Sequence, residues 1–401
     1  MKKILLVLLT CLMAGAVHLQ AQTAVRKIGQ VDVNVDSRML GVQVSANTPE
    51  LDALARRAFS SHGRYNVVPS NGQFIIKFTQ LATNQVKVDV LKGGSNTPVH
   101  SQVVTGTSNR NALLKAADVA VEKTNLLGLK GFFASKLVFI SERTGKKEVY
   151  VSDLFMGEVR QITHDNALAL SPRWAPDGSR IIYTSFYKSG FPDIFQINMS
   201  SYQRDNFASF KGTNSGARFS PNGQSVAMVL SSEGNPEIYV GNAQGKMIRR
   251  ITRTDAVEAS PCFSPDSSRI VYTCDSAGGP QLYVISANGG APQRLVTGIS
   301  GYCAEPDWSR DGKNSIAFTA KIGGSYQIAV YQMGGKPATQ VSKARFDAIE
   351  PSWLADGRHL IYTARDRSTS VISILDTVTG KSMPLSSSDL GQSMQASVRN
   401  P

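Results

Sequence analysis

The sequence predicts a mainly β chain: a C-terminal six-bladed β-propeller behind a small N-terminal α/β domain. Two observations carry this. A phrase of the form aromatic–turn–strand recurs five times in step, and the first third of the chain does not repeat and contains two helix-like segments.

The repeats are "SPRWAPDGSRIIYTS" from Ser171, "ARFSPNGQSVAMVLS" from Ala217, "SPCFSPDSSRIVYTC" from Ser260, "EPDWSRDGKNSIAFTA" from Glu305 and "EPSWLADGRHLIYTA" from Glu350. Aligned on Trp174, Phe219, Phe263, Trp308 and Trp353, they are spaced 45, 44, 45 and 45 residues apart. Each unit reads as four short strands. The first ends on the aromatic, and a Pro-Asp-Gly-type turn follows, because Gly accepts φ > 0 and Asp bonds its own backbone. The second strand is β-branched and aromatic, as in "RIIYTS" and "RIVYTC". A third follows ("DIFQIN", "EIYVGN", "QLYVIS", "QIAVYQ", "SVISIL") and a Gly-rich turn leads to the fourth. Four strands at this period are the signature of a propeller blade. The near-twofold alternation and the frequent turns argue against a helical repeat. The repeated aromatics are expected in the core, since they recur at one structural position.

A sixth unit upstream, Lys136 to Thr163, has the second to fourth strands but no aromatic first strand. Gln395 to Arg399 falls where a seventh first strand would begin, and is expected to complete that blade. Ring closure of this kind removes open sheet edges. The propeller is thus assigned to 136–401.

Residues 23–131 form the expected N-terminal domain. "PELDALARRAFSS" (Pro49 to Ser61) has helical apolar spacing, with Thr48 as N-cap and Pro49 in the first turn. "QFIIKFTQ" and "QVKVDVLK" read as paired strands, and Ser108 to Gly128 as a second amphipathic helix ending at the glycine.

The chain opens "MKKILLVLLTCLMAGAVHLQAQ", a basic start, a short apolar run and small residues. This reads as a signal peptide over 1–21, cleaved after Ala16 or Ala21. An uncleaved anchor is disfavoured by the short run, and acylation at Cys11 by the preceding Thr10. The mature protein is expected in the periplasm, peripheral to any membrane and monomeric. Formal net charge is +13, and 13 − 2 = +11 without Lys2 and Lys3. That balance suits anionic surfaces or an acidic partner. The charges are scattered along turns, so nucleic acid is excluded as a partner. Cys262, Cys274 and Cys303 remain after the leader. An odd count argues against a disulfide framework. Buried thiols are the expectation, with a Cys274–Cys303 bond as the alternative.

Chemistry is not written in this chain. The nucleophile elbow G-x-S-x-G is missing: "GISGY" and "GQSVA" fail on spacing and sit inside blades. His62, His100, His164 and His359 are far apart in sequence, so neither a metal site nor the His–carboxylate cluster of a propeller lyase is expected. "FKGTNSG" and similar loops are turn chemistry, since none opens a helix. No catalytic residue and no cofactor is expected, and a binding role is favoured.

Propellers bind on loops held by a rigid scaffold. The residue before each first-strand Pro is expected at the channel mouth: Ser171, Ser260, Glu305 and Glu350, with Gly216 in the third blade. A plainer alternative makes each Glu a solvated loop residue or the partner of a nearby Arg. The loops after the second strands share that face and offer Phe186, Tyr187, Phe191 and Tyr326 as exposed contact aromatics.

From about residue 108 onward the chain resembles the TolB family, the periplasmic component of the Tol–Pal envelope system. The resemblance rests on the blade motifs, on the junction "VEKTNLLGLKGFFASKLVFISERTGKKEVYVSD" and on "GGAPQRL" from Gly289. It implies a scaffold whose propeller binds a peptidoglycan-associated, OmpA-like lipoprotein. Glu305 and Glu350 match the family's "E-P-x-W" pattern, which is associated with that binding. Before residue 108 the family's "D-L-x-x-S-G-x-F" segment is missing. Ala24 to Asp36 matches the segment offered to TolA, an inner-membrane protein, in position alone. A second reading is an exported enzyme or carbohydrate-binding propeller acting on polysaccharide or peptide.

Overall fold

Helix α1 (Pro49–Ser61) buries Leu51, Leu54, Ala55, Ala58 and Phe59, one continuous face at helical spacing. The computed structural model describes residues 38–401. The leader and Ala24 to Asp36 lie outside the described residues. Thr48 takes the N-cap backbone conformation but its side chain makes no capping bond. Asp52 of the first turn instead accepts the Ala46 N–H at 2.9 Å.

Strands β1 (Leu40–Ala46), β2 (Tyr65–Val67), β3 (Phe74–Ala82), β4 (Gln85–Lys92) and β5 (Pro98–Thr105) form a sheet in the order β2-β1-β3-β4-β5. β1 is parallel to β2 and β3, and the remaining pairs are antiparallel. The second helix, α2 (Asn109–Thr124), is capped by the Ser108 hydroxyl, which accepts the Asn111 N–H at 3.1 Å. It stops four residues before the expected Gly128. The Asn125 amide ends it, donating to the Val121 and Leu129 carbonyls and accepting the Leu127 and Leu129 N–H groups. A side chain that satisfies both orphan carbonyls and following amides ends a helix without a glycine.

The junction after α2 is pinned by Asp118. Its carboxylate accepts the Phe133 N–H at 2.5 Å and the Ala134 N–H at 3.0 Å. Gly131 permits this approach, since a Cβ there would lie 2.2 Å from the Asp118 Cβ. Phe132 and Phe133 then enter a core shared between the sheet–helix layer and blades one and six, with Phe59, Phe139, Leu354 and Ile361. Each fully buried Phe contributes roughly 2–3 kcal/mol. The N-terminal layer is therefore joined to the propeller through one shared apolar core.

Six four-stranded blades follow, and their innermost strands line the channel. Blades two to six begin at Ala169–Trp174, Asn214–Phe219, Glu258–Phe263, Cys303–Trp308 and Asp347–Trp353. In blade one the innermost strand is Ser393–Arg399, antiparallel to Lys136–Ser141. The blade aromatics Trp174, Phe219, Phe263, Trp308 and Trp353 are all buried. Apolar clusters wedge successive blades together, as Val138 and Ile140 of blade one do against Trp174 and Ile181 of blade two.

Candidate functional site

Every innermost strand carries the same irregularity. The pairing register between first and second strands shifts by a bulge in all six blades. The bulged residues are Ser171, Gly216, Ser260, Glu305, Glu350 and Gln395, all with φ between 50° and 62°. Only one is glycine, and a left-handed non-glycine residue costs about 1–2 kcal/mol. Bulges re-aim side chains. Here they turn one position per blade toward the axis, and the six residues line a cavity of about 80 Å3 at the channel mouth. Ser171, Ser260, Glu305 and Glu350 therefore converge as the repeat suggested. Gln395 completes the ring. It was missed as a mouth residue because the tail has no Pro or aromatic to mark the repeat.

The acidic side chains are neither solvated freely nor paired with arginine. They form a relay between blades. Glu305 Oε2 accepts the Glu350 N–H at 3.1 Å, and Glu350 Oε2 accepts the Gln395 N–H at 3.1 Å. Gln395 Oε1 accepts the Ser171 N–H at 2.8 Å. Thr319 and Thr363 hydroxyls donate to Glu305 and Glu350 at 2.7 and 2.8 Å. Burial and the neighbouring Glu350 charge push the Glu305 carboxyl pKa up to about 7. At Ser171, Gly216 and Ser260 the side chains are too short to span to the next blade. Half of the ring is thus braced and acidic, and half is open.

Two positions deeper, the same strands present Arg173, Arg218, Cys262, Asp307, Ser352 and Ser397. Arg218 forms an ion pair with Asp307 across the channel. Asp307 also accepts the Trp353 N–H at 2.6 Å.

The loops at the mouth end differ in exposure. Phe191 is 69% exposed and Tyr187 48%. The Arg204 guanidinium lies 4.0 Å from the Tyr187 ring centroid. Phe186 and Tyr326 are half-buried, against expectation. Tyr326 packs edge-on against Tyr302 at 5.1 Å, which removes part of its face from solvent.

At the opposite end the N-terminal layer covers blades one and six. His62 and His359, distant in sequence, meet there with ring centroids 4.3 Å apart. The expectation of four separated histidines is thus corrected for this pair, because domain packing brings them together. His359 Nδ1 lies 2.6 Å from Asp356 Oδ2, and its Nε2 lies 3.1 Å from the Gly63 N and 3.4 Å from Asp376 Oδ2. Arg358 pairs with Asp376 at 2.7 Å. Burial opposes charge on His359, but the Asp356 and Asp376 carboxylates override it and hold its pKa up at about 9. Burial, reinforced by His359, pushes His62 below the ordinary value. The ligand-type atoms of His62, Asp356 and His359 lie within 4.8 Å of one another. The direct His359–Asp356 bond already closes two of them together.

A profile of the TolB beta propeller domain family matches residues 123–397. The chain belongs to that family. Among individual members, "Protein TolB homolog" of Chlorobium luteolum is 27% identical over 249 residues, 55% of this chain and 56% of that protein. "Tol-Pal system protein TolB" of Desulfosudis oleivorans is 35% identical over 129 residues, 32% of this chain and 29% of that one. The chain thus matches about half the length of the first of these curated relatives and less than a third of the second. The crystal structure of TolB from Acinetobacter baumannii shares the fold, with a TM-score of 0.78 at 22% identity. That likeness covers 90% of this chain and 97% of the other, so it extends over the N-terminal layer. Among the described residues, no helix is long and apolar enough to cross a membrane.

Proposed function

We propose that this chain is a non-enzymatic periplasmic scaffold of a Tol–Pal-type envelope system. Its propeller mouth binds a peptidoglycan-associated, OmpA-like lipoprotein. Its N-terminal domain answers to an inner-membrane partner of the TolA type, and the two contacts together support envelope integrity during constriction. Membership of the TolB propeller family and the name of the Desulfosudis oleivorans relative support the system. The observation that carries the site is the half-braced ring. Glu305 and Glu350 hold a fixed acidic arc beside the open arc of Ser171, Gly216 and Ser260, with Phe191 and Tyr187 exposed at the same end. A rigid acidic arc and rim aromatics suit a protein surface better than a reacting bond, because one oxygen of each carboxylate is already committed to a backbone amide.

The test is capture of the tagged full chain, cross-linked in the envelope of cells that produce it, with mass spectrometry of what is recovered. A Tyr187→Ala/Phe191→Ala variant runs beside it, since neither change touches the relay. Recovery of an OmpA-like lipoprotein that the variant loses is expected. Retention of polysaccharide with no protein partner would overturn the reading in favour of a carbohydrate-directed propeller.

A further inference from the structure

The geometry points to an oxyanion-binding site inside the channel, on the side away from the acidic mouth, built by Arg173 and Arg310 beside the Arg218–Asp307 pair and selective for a small polyvalent anion of the phosphate class.

A second cavity, of about 170 Å3, continues from the mouth cavity, and Arg173 and Arg218 line both. Four guanidinium groups reach the second one, from Arg173, Arg218, Arg310 and Arg399, against a single side-chain carboxylate, Asp307, with the terminal Pro401 also in the lining. Asp307 is committed to Arg218 and to the Trp353 N–H. Arg399 donates to the Asp177 carbonyl at 3.4 Å and lies over the Trp174 ring. Among the described residues, neither Arg173 nor Arg310 makes a side-chain hydrogen bond or ion pair, although the Glu350 and Glu305 carboxylates of the mouth act on Arg173 through space. Arg173 is half-buried and Arg310 exposed, so both can offer unbonded guanidinium donors to an anion that enters the cavity.

The repeat shows that this charge is specific to certain blades and is not a property of the fold. Blades two to four place Pro176, Pro221 and Pro265 at the turn after the aromatic, and blade five places Arg310 there. The position of Arg173 and Arg218 holds Cys262 in blade four and Ser352 in blade six. The guanidinium groups also feel one another. Burial, opposed by Cys262 and reinforced by Arg173 and Arg310, pulls Arg218 down to about 10, and burial, opposed by Glu350, Cys262 and Glu305, pulls Arg173 down as well. All remain charged at neutral pH. Guanidinium donors in a fork match phosphate oxygens two at a time. The site is independent of the lipoprotein reading, because it faces the channel interior and not the rim.

The test is isothermal titration calorimetry of the full chain with inorganic phosphate at low ionic strength. One phosphate per chain is expected. Arg173→Gln and Arg310→Pro should each weaken it roughly tenfold or more, the worth of one or two charged hydrogen bonds. Arg310→Pro installs the residue that three sister blades carry, so the fold tolerates it, and circular dichroism checks this. Chloride at matched ionic strength should compete poorly. The proposal is overturned if the unsubstituted chain binds no phosphate, if both variants bind it as tightly, or if chloride displaces it as readily as sulfate does.

Discussion

Glu305 Oε2 accepts the backbone N–H of Glu350 at 3.1 Å, so the acidic residue of blade five caps the bulge of blade six. The Thr319 hydroxyl bonds the same oxygen, which leaves Oε1 without a hydrogen bond among the described residues. A proton on Oε1 disturbs neither bond.

The pH dependence follows from that geometry. Burial and the Glu350 charge raise the Glu305 pKa to about 7, against about 4.3 in the unfolded chain. The folded state therefore holds this proton more tightly. The stability it contributes is full below about pH 4.3 and is lost as pH rises through 7. Glu305→Gln keeps the shape and both acceptor bonds and removes the buried charge. It is expected to stabilise the protein by on the order of 2 kcal/mol at pH 8 and by almost nothing at pH 4. Urea unfolding at the two pH values reads this, and an equal effect at both would contradict it.

Ring closure depends on the next link. Glu350 accepts the Gln395 N–H and Nε2 and the Thr363 hydroxyl. Glu350→Ala leaves the Gln395 side-chain amide and the Thr363 hydroxyl without their acceptor, the Gln395 N–H keeping only the Thr363 oxygen, and is expected to cost about 2–4 kcal/mol. The loss should be local. Amide hydrogen exchange should quicken along Ser393–Arg399 and leave Arg180–Ser185 in blade two unchanged, since only the former strand is tied to the rest of its blade from the far end of the sequence.

The interface between the N-terminal layer and blade six is tight at Gly63. A Cβ there would lie 1.7 Å from Asp376 Oδ2. Gly63→Ala must displace either the Arg358–Asp376 pair or the Gly63 backbone from its place beside His359, at a cost of about 3 kcal/mol or more. Scanning calorimetry is expected to show one transition for the parent chain and two for the variant. One sharp transition at an unchanged temperature would mean that the interface yields without loss.

Much of this molecule can be read from its repeat. The 45-residue phrase identifies the blades, the aromatic marks the buried end of each innermost strand, and the residue before the Pro marks the mouth. What the phrase does not carry is pairing across blades. Glu305 looks like a loop acid because its partner, the Glu350 amide, lies in the next repeat. Gln395 carries no Pro or aromatic, although its register in the tail strand sets it in the ring. His62 and His359 meet only because α1 docks on blade six, and no local pattern encodes that contact. Arg310 was legible in principle, as an arginine where sister turns have proline.

The cysteines offer a simple check. Cys262, Cys274 and Cys303 are free and buried. Cys303 Sγ bonds the Thr297 hydroxyl and the Ser300 carbonyl, and Cys274 Sγ the Ser276 hydroxyl. Burial raises the pKa of both Cys274 and Cys303 thiols, which slows their oxidation. Thiol titration is expected to find these three cysteines reduced in denaturant and unreactive without it. A reductant should leave the melting temperature unchanged.

The most direct measurement is hydrogen exchange of the full chain with and without the soluble domain of the OmpA-like lipoprotein proposed as its partner. Protection is expected at the mouth, in 186–192, 231–236 and 323–328, and around Glu305 and Glu350. Protection confined to the opposite face, over blades one and six beside His359, would contradict the account and move the partner site to the N-terminal layer.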